Sequence, residues 1–327
     1  MTIAFDIDPP RLLRSPHLQT VLSSRVARGF SRVGRDLLDT AERITISCHD
    51  NVTLAAFVNS TATPAPLVIV LHGWLGNADS PYSRRAAHAL SSAGFRVARL
   101  LLRDHGDTSA LNTEMFHSAR IDEVVEACNA LSASYGNGRT GVLGFSLGGN
   151  FAVRVAAHPR CDRSIASVLA VCPVVDPVAA VDAIDNGWSG YRWWFLRKWR
   201  RALVAKQQAF PDRYDFTEAF ELPTIAALTD YVVARHSEFP DAAAYYAAYR
   251  LTQDVVTRLV TPVHVVAALD DPVIPGRDIA NLSATDALTL TLSPYGGHCA
   301  FIETFGLESR LDAAAPHYFA RALGLCI

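Results

Sequence analysis

A serine held between glycines at a strand-to-helix junction is the first place in this chain where chemistry could be done: Gly144-Phe145-Ser146-Leu147-Gly148-Gly149. The run follows the strand-like Thr140-Gly141-Val142-Leu143 and precedes the helix-like Asn150-Phe151-Ala152-Val153-Arg154-Val155. A turn tight enough to lift a hydroxyl clear of a sheet brings neighbouring backbone close, and glycine relieves that crowding. The helix behind it aims free amide N–H groups at developing negative charge. The G-x-S-x-G spacing alone arises by chance in roughly one chain in ten of this length. The strand before and the helix after therefore carry the reading of Ser146 as a nucleophile rather than a structural turn residue.

A nucleophilic serine needs a base to take its proton and an acid to orient that base. The apolar run at residues 263–269 ends in Asp270-Asp271-Pro272-Val273-Ile274-Pro275, carboxylates at the sheet edge where ligands bind in such folds. Asp271 is the expected acid; Asp270 is the alternative, and otherwise caps the turn. Further on, Gly296-Gly297-His298 combines an imidazole with two glycines that permit a backbone excursion towards the serine. His298 is the expected base. An oxyanion hole needs backbone N–H groups aimed at the carbonyl oxygen, and losing one donor costs about 3 kcal/mol. His72-Gly73-Trp74-Leu75-Gly76 follows an apolar run, so the N–H groups of Trp74 and Leu147 are the expected donors, with His72 structural. Arg103-Asp104-His105-Gly106 reads as a hydrogen-bonded junction rather than a catalytic one. His17, His88, His117 and His264 share no metal-ligand spacing, and the chemistry requires neither a metal nor a cofactor.

The elements that must position these residues alternate between β-rich and helical patterns, the mark of a mostly parallel sheet wrapped by helices. Residues 43–48 and 52–58 read as an antiparallel hairpin, and residues 66–71, 95–102, 140–143, 165–172, 263–269 and 287–293 as six further strands. Residues 121–132 place Ile121, Val124, Val125, Cys128 and Leu131 on one helical stripe. The interval from Cys172 to Val263 is far too long for an ordinary connection and must form structure of its own. The expected organisation is a core of residues 1–172 and 261–327 with a helical cap at 173–260.

Four of the five tryptophans fall in the first part of that cap, among Trp188, Tyr191, Trp193, Trp194, Phe195 and Trp199, interleaved with Arg192, Arg197, Lys198, Arg200 and Arg201. Trp188, Tyr191, Phe195 and Trp199 share a helix face that packs the cap onto the core. With Trp194, these aromatics are also candidates for lining an acyl-chain pocket, and aromatic and basic residues together would suit weak contact with a membrane surface. At 327 residues and 50% hydrophobic, the chain can bury a large core. A net charge of −2 gives no reason to expect nucleic acid. Six scattered cysteines without C-x-x-C spacing, no apolar leader in residues 1–10 and no membrane-length apolar run point to a reducing, cytoplasmic setting. Oligomeric state is not legible.

The chain resembles the YheT-like family of α/β hydrolases, relatives of the α/β-hydrolase-domain lipases and phospholipases. The resemblance rests on Ser15-Pro16-His17-Leu18-Gln19-Thr20, His72-Gly73, Gly144 to Asn150, Tyr214-Asp215-Phe216-Thr217, Ala268-Leu269-Asp270-Asp271-Pro272 and Gly296-Gly297-His298. It implies an α/β-hydrolase fold with a cap after the sixth strand, and hydrolysis of small-molecule or lipid carboxylic esters by Ser146, Asp271 and His298. The chain order Ser, Asp, His is the one this fold uses. Two departures stand out: Arg103-Asp104-His105-Gly106 where the family reads Arg-Gly-Cys-Gly-like, and residues 221–241, which look like an insertion. The rival readings are an amidase, thioesterase or perhydrolase on the same residues, and a hydrolase-like binding protein that does no chemistry.

Overall fold

The computed structural model describes Phe5 and residues 7–26, 40–61 and 63–326. The N-terminal stretch read as leaderless falls partly on residues 1–4 and 6, which lie outside the described residues. The apolar runs become eight strands in one sheet: β1 (Glu42–Ser47), β2 (Thr53–Val58), β3 (Leu67–Leu71), β4 (Arg96–Leu101), β5 (Thr140–Phe145), β6 (Ile165–Val171), β7 (Val263–Ala268) and β8 (Leu288–Ser293). Their spatial order is β1-β2-β4-β3-β5-β6-β7-β8. From β4 to β8 neighbouring strands are parallel, while β2 runs antiparallel to both β1 and β4. Every residue of β3, β5 and β7 is buried, as a sheet covered on both faces requires.

Strand alternation divides the core into two layers. Leu67, Ile69 and Leu71 of β3 face α3 (Ile121–Tyr135) and α4 (Leu147–Ala156), where Val124, Val125, Cys128 and Leu131 form the expected buried stripe. Val68 and Val70 face the opposite layer, filled by α2 (Pro81–Ser92) and α11 (Arg310–Leu323) through Leu90 and Phe319. The helices α1 (Pro16–Val26), α2 and α11 have no counterpart in the sequence reading, and α1 packs beside α2. Its Gln19 is fully buried and clamps the segment after β8, with Nε2 donating to the carbonyls of Leu13 at 2.8 Å and Ile302 at 2.9 Å while Oε1 accepts from Ile302 N–H.

Between β6 and β7 the chain makes its long excursion: α5 (Pro177–Asn186), α6 (Ser189–Ala209), α7 (Ile225–His236), α8 (Ala242–Tyr249) and α9 (Gln253–Thr257). The stretch from 221 to 241 that looks like an insertion is mostly α7. It is tied in by Asp185, whose two carboxylate oxygens accept from Ile225 N–H at 2.8 Å and Ala226 N–H at 2.9 Å, where the helix has free donors. After β7, α10 (Gly276–Ala280) leads into β8.

A buried ion pair fastens α6 to the core. Lys206 Nζ lies 2.9 Å from Asp104 Oδ1, with side chains only 1% and 9% exposed. The same ammonium donates to the carbonyls of Asn112 at 2.6 Å and Glu114 at 3.2 Å, and Asp104 Oδ2 accepts from Phe116 N–H at 2.7 Å. Burial raises the pKa of Asp104 and lowers that of Lys206, each against the pull of its partner. The pair therefore gives orientation rather than net stability, and losing one partner strands the other. Lys206→Met should lower unfolding free energy by about 3 kcal/mol. Adding Asp104→Asn should recover part of that loss, as measured by urea denaturation of both variants.

Candidate active site

Strand β5 ends by delivering Ser146 at φ 55° and ψ −118°, a conformation that costs a non-glycine residue about 1–3 kcal/mol. Crowding enforces it. A Cβ on Gly144 would run into the carbonyl of Gly148, and one on Gly148 into the carbonyl of Leu71 at the end of β3. These glycines are needed for close approach rather than for unusual dihedrals, and their absent side chains let β3, β5 and α4 meet beneath the serine. Asn150 adds a brace, its Nδ2 donating to the carbonyls of Val174 at 2.8 Å and Tyr249 at 2.7 Å, so the start of α4 holds both the exit of β6 and the end of α8.

The structure brings Ser146, His298 and Asp271 together. Ser146 Oγ lies 3.0 Å from His298 Nε2, and His298 Nδ1 lies 2.8 Å from Asp271 Oδ2. Asp271 Oδ1 accepts from Val273 N–H at 2.8 Å and Ile274 N–H at 2.9 Å, which fixes the carboxylate plane. Asp270, expected to cap its own turn, instead reaches across: its Oδ1 accepts from Gly297 N–H at 2.9 Å and holds the loop that carries the histidine. Gly296 and Gly297 occupy φ of 153° and 51°, and a Cβ on Gly297 would come within 2.7 Å of the Pro16 carbonyl. Thr20 Oγ1 accepts from His298 N–H at 2.9 Å. The Pro-His-Leu-Gln-Thr segment thus acts as a cradle for the His298 loop, a role visible only once α1 is placed against it.

The loop after β3 lies on the other side of Ser146, where a Cβ on Gly73 would come 3.2 Å from Ser146 Cβ. Gly73 N–H donates to Tyr82 Oη at 2.9 Å and Leu75 N–H to His105 Nε2 at 3.1 Å. The Trp74 N–H between them has no partner among the described residues, and Leu147, first residue of α4, has an amide outside the helical ladder. Both expected donors are therefore free to meet an oxyanion. Two neutral histidines hold this arrangement. His72 donates through Nδ1 to the Gly73 carbonyl and accepts at Nε2 from Leu102 N–H, and His105 donates to the Arg103 carbonyl. Burial pushes their pKa values down to about 3 and about 4, so they keep one donor and one acceptor across the working range. The departure at Arg103 to Gly106 hence supplies a brace for the Trp74 turn.

These groups open onto a cavity of about 1190 Å³. Trp188, Tyr191, Trp194 and Phe195 all line it. Tyr191 is buried and meets His17 Nδ1 at 3.0 Å through its hydroxyl, Phe195 stacks on Trp74 at 5.5 Å, and Trp188 and Trp194 are 51% and 39% exposed. Helix α6 therefore packs on the core and lines the cavity at once. Sequence reasoning did not find Cys172 and Cys299: among the described residues these and His298 form the one group whose possible metal-ligating atoms lie within 4.8 Å of one another. A metal there would engage the imidazole that faces Ser146, at odds with serine chemistry. Among the described residues no helix is long and apolar enough to cross a membrane.

A family model described as the alpha/beta hydrolase fold matches residues 66–305. YheT of Escherichia coli (strain K12), which is named as an esterase, is 24% identical over 299 residues, covering 90% of this chain and 86% of that protein. Abhydrolase domain-containing protein 2 of Drosophila melanogaster is 24% identical over 323 residues, covering 90% and 78%. Among solved structures, the Pyrococcus furiosus esterase Pf2001 superposes with a TM-score of 0.61 at 15% identity, over 89% of this chain and 93% of that one. Sheet order, elbow and family match agree: the chain belongs to the α/β-hydrolase fold family and is similar to YheT within it.

Proposed function

We propose that this protein is a serine esterase that hydrolyses carboxylic esters through an acyl-Ser146 intermediate. The observation that carries the reading is the continuous path from Ser146 Oγ through His298 to Asp271, at 3.0 and 2.8 Å. With its proton on Nδ1 and donated to Asp271, His298 offers Nε2 to the serine hydroxyl. It takes that proton as Oγ attacks the ester carbonyl, and Asp271 stabilises the imidazolium that forms. The carbonyl oxygen, now an anion, is met by the N–H groups of Trp74 and Leu147. Collapse expels the alcohol, protonated by His298, and water activated by the same imidazole releases the acid.

Residues 173–260 act in this reading as a cap over the cavity. Its aromatic wall favours esters with hydrocarbon acyl or alcohol groups, since each buried methylene gains roughly 0.8 kcal/mol. The exposed rings of Trp188, Trp193 and Trp194 are where weak membrane-surface contact would occur. Six free cysteines fit a cytoplasmic setting.

Wild-type protein should hydrolyse p-nitrophenyl esters, and a folded Ser146→Ala variant should lose at least about 10³-fold in kcat/KM; equal rates in the two would remove the proposal. Burial opposes charge on His298, but Asp271, and then Cys299, outweigh it and hold the pKa well above the ordinary 6.5. The neutral imidazole is the active form, so activity should fall as pH drops through that raised pKa, placing the acid limb above 6.5. Asp271→Asn should shift the limb to lower pH and reduce kcat by about 10³–10⁴-fold. Asp270→Asn should leave the limb in place. A pH profile of kcat/KM for the three proteins separates these outcomes.

A further inference from the structure

The chain's only lysines, Lys198 and Lys206, both lie on α6, and they are treated in opposite ways. Lys206 has four oxygen partners, one carboxylate and three carbonyls. Lys198 lines the cavity with its Nζ 4.3 Å from the centroid of the Trp194 ring, and among the described residues it has no hydrogen bond or ion pair. Arg197 and Arg201, beside it on the same helix, also line the cavity. Arg197 rests 5.3 Å from the Trp193 ring centroid. The one carboxylate in the lining, Asp79, is engaged by Arg99 at 3.1 Å and Arg84 at 3.2 Å. The cavity next to Ser146 therefore carries ammonium and guanidinium groups on aromatic walls without a counter-charge of its own.

A partly desolvated cation is costly until paired. Burial, and then the nearby Arg201, push the pKa of Lys198 down to about 8, the strain expected of a cation whose partner arrives with a ligand. We propose that Lys198, supported by Arg201, binds an anionic oxygen group of the substrate, a carboxylate or phosphate set apart from the scissile ester. The substrate is then amphiphilic: a hydrocarbon portion against the aromatic wall, an ester at Ser146 and an anionic group at Lys198. The proposal rests on the reading of this cavity as the substrate site of an esterase.

Binding to the Ser146→Ala protein, followed by tryptophan fluorescence, tests it without turnover. Octanoate and octyl phosphate are compared with octanol. At least one anion should bind tenfold or more tightly than the alcohol, and the tighter of the two identifies carboxylate or phosphate. Lys198→Gln should erase the advantage and Lys198→Arg should keep it. Equal affinity for alcohol and both anions, or an advantage that survives Lys198→Gln, overturns the proposal. In turnover, the ratio of kcat/KM for mono-p-nitrophenyl adipate to that for p-nitrophenyl hexanoate should fall about tenfold in Lys198→Gln, mainly through KM; an unchanged ratio counts against the site. If the wild type hydrolyses neither ester, the esterase reading fails while the binding comparison still decides the role of Lys198.

Discussion

The backbone of Ser146 is the constraint on which the rest of the structure depends. Its φ of 55° is unfavourable for a serine and persists only because β3, β5 and α4 are pressed together at side-chain-free contacts. Gly144 and Gly148 make those contacts possible. Loosening them would let the turn relax and drop the hydroxyl back towards the sheet. The fully buried strands on either side give the elbow a rigid base, and the strain is offset by apolar packing that extends through both core layers.

Around the elbow, the surrounding loops are held by polar groups whose charge state is set by burial. His72 and His105 stay neutral and brace the turn bearing Trp74. Asp270 and Thr20 hold the backbone leading into His298 by accepting the N–H of Gly297 and that of His298 itself. Asp271 keeps one oxygen for the imidazole and spends the other on two backbone amides. Each acceptor thus has a single task. Helix α6 is pinned at one end by Lys206 and stacked on Trp74 through Phe195 in its middle, so the wall of the cavity and the Trp74 loop are one packed unit.

Much of this was legible in the residues. Short apolar runs bounded by glycine, proline and aspartate marked all eight strands to within a residue or two, most plainly β3, β5 and β7, which are buried along their whole length. The serine, the carboxylates after β7 and the histidine after β8 were legible because strand ends and glycine pairs leave local marks. What was not legible depends on contacts between distant segments. Helix α1 shows its purpose only when Gln19 and Thr20 meet the segment at 297–302, and the Asp104–Lys206 pair joins residues far apart in the chain. Cys172 and Cys299 approach His298 although neither stands in a recognisable spacing. The difference between Lys198 and Lys206 is likewise invisible without knowing which one meets oxygen.

The central claim is that Ser146 is a nucleophile activated by His298, and stoichiometric reaction with a fluorophosphonate, read by intact-protein and peptide mass spectrometry, tests it most directly. One adduct per chain, located on Ser146, is expected, with a labelling rate that collapses in His298→Ala. An unlabelled protein, an adduct on another residue such as Cys299, or equal labelling of His298→Ala would contradict it.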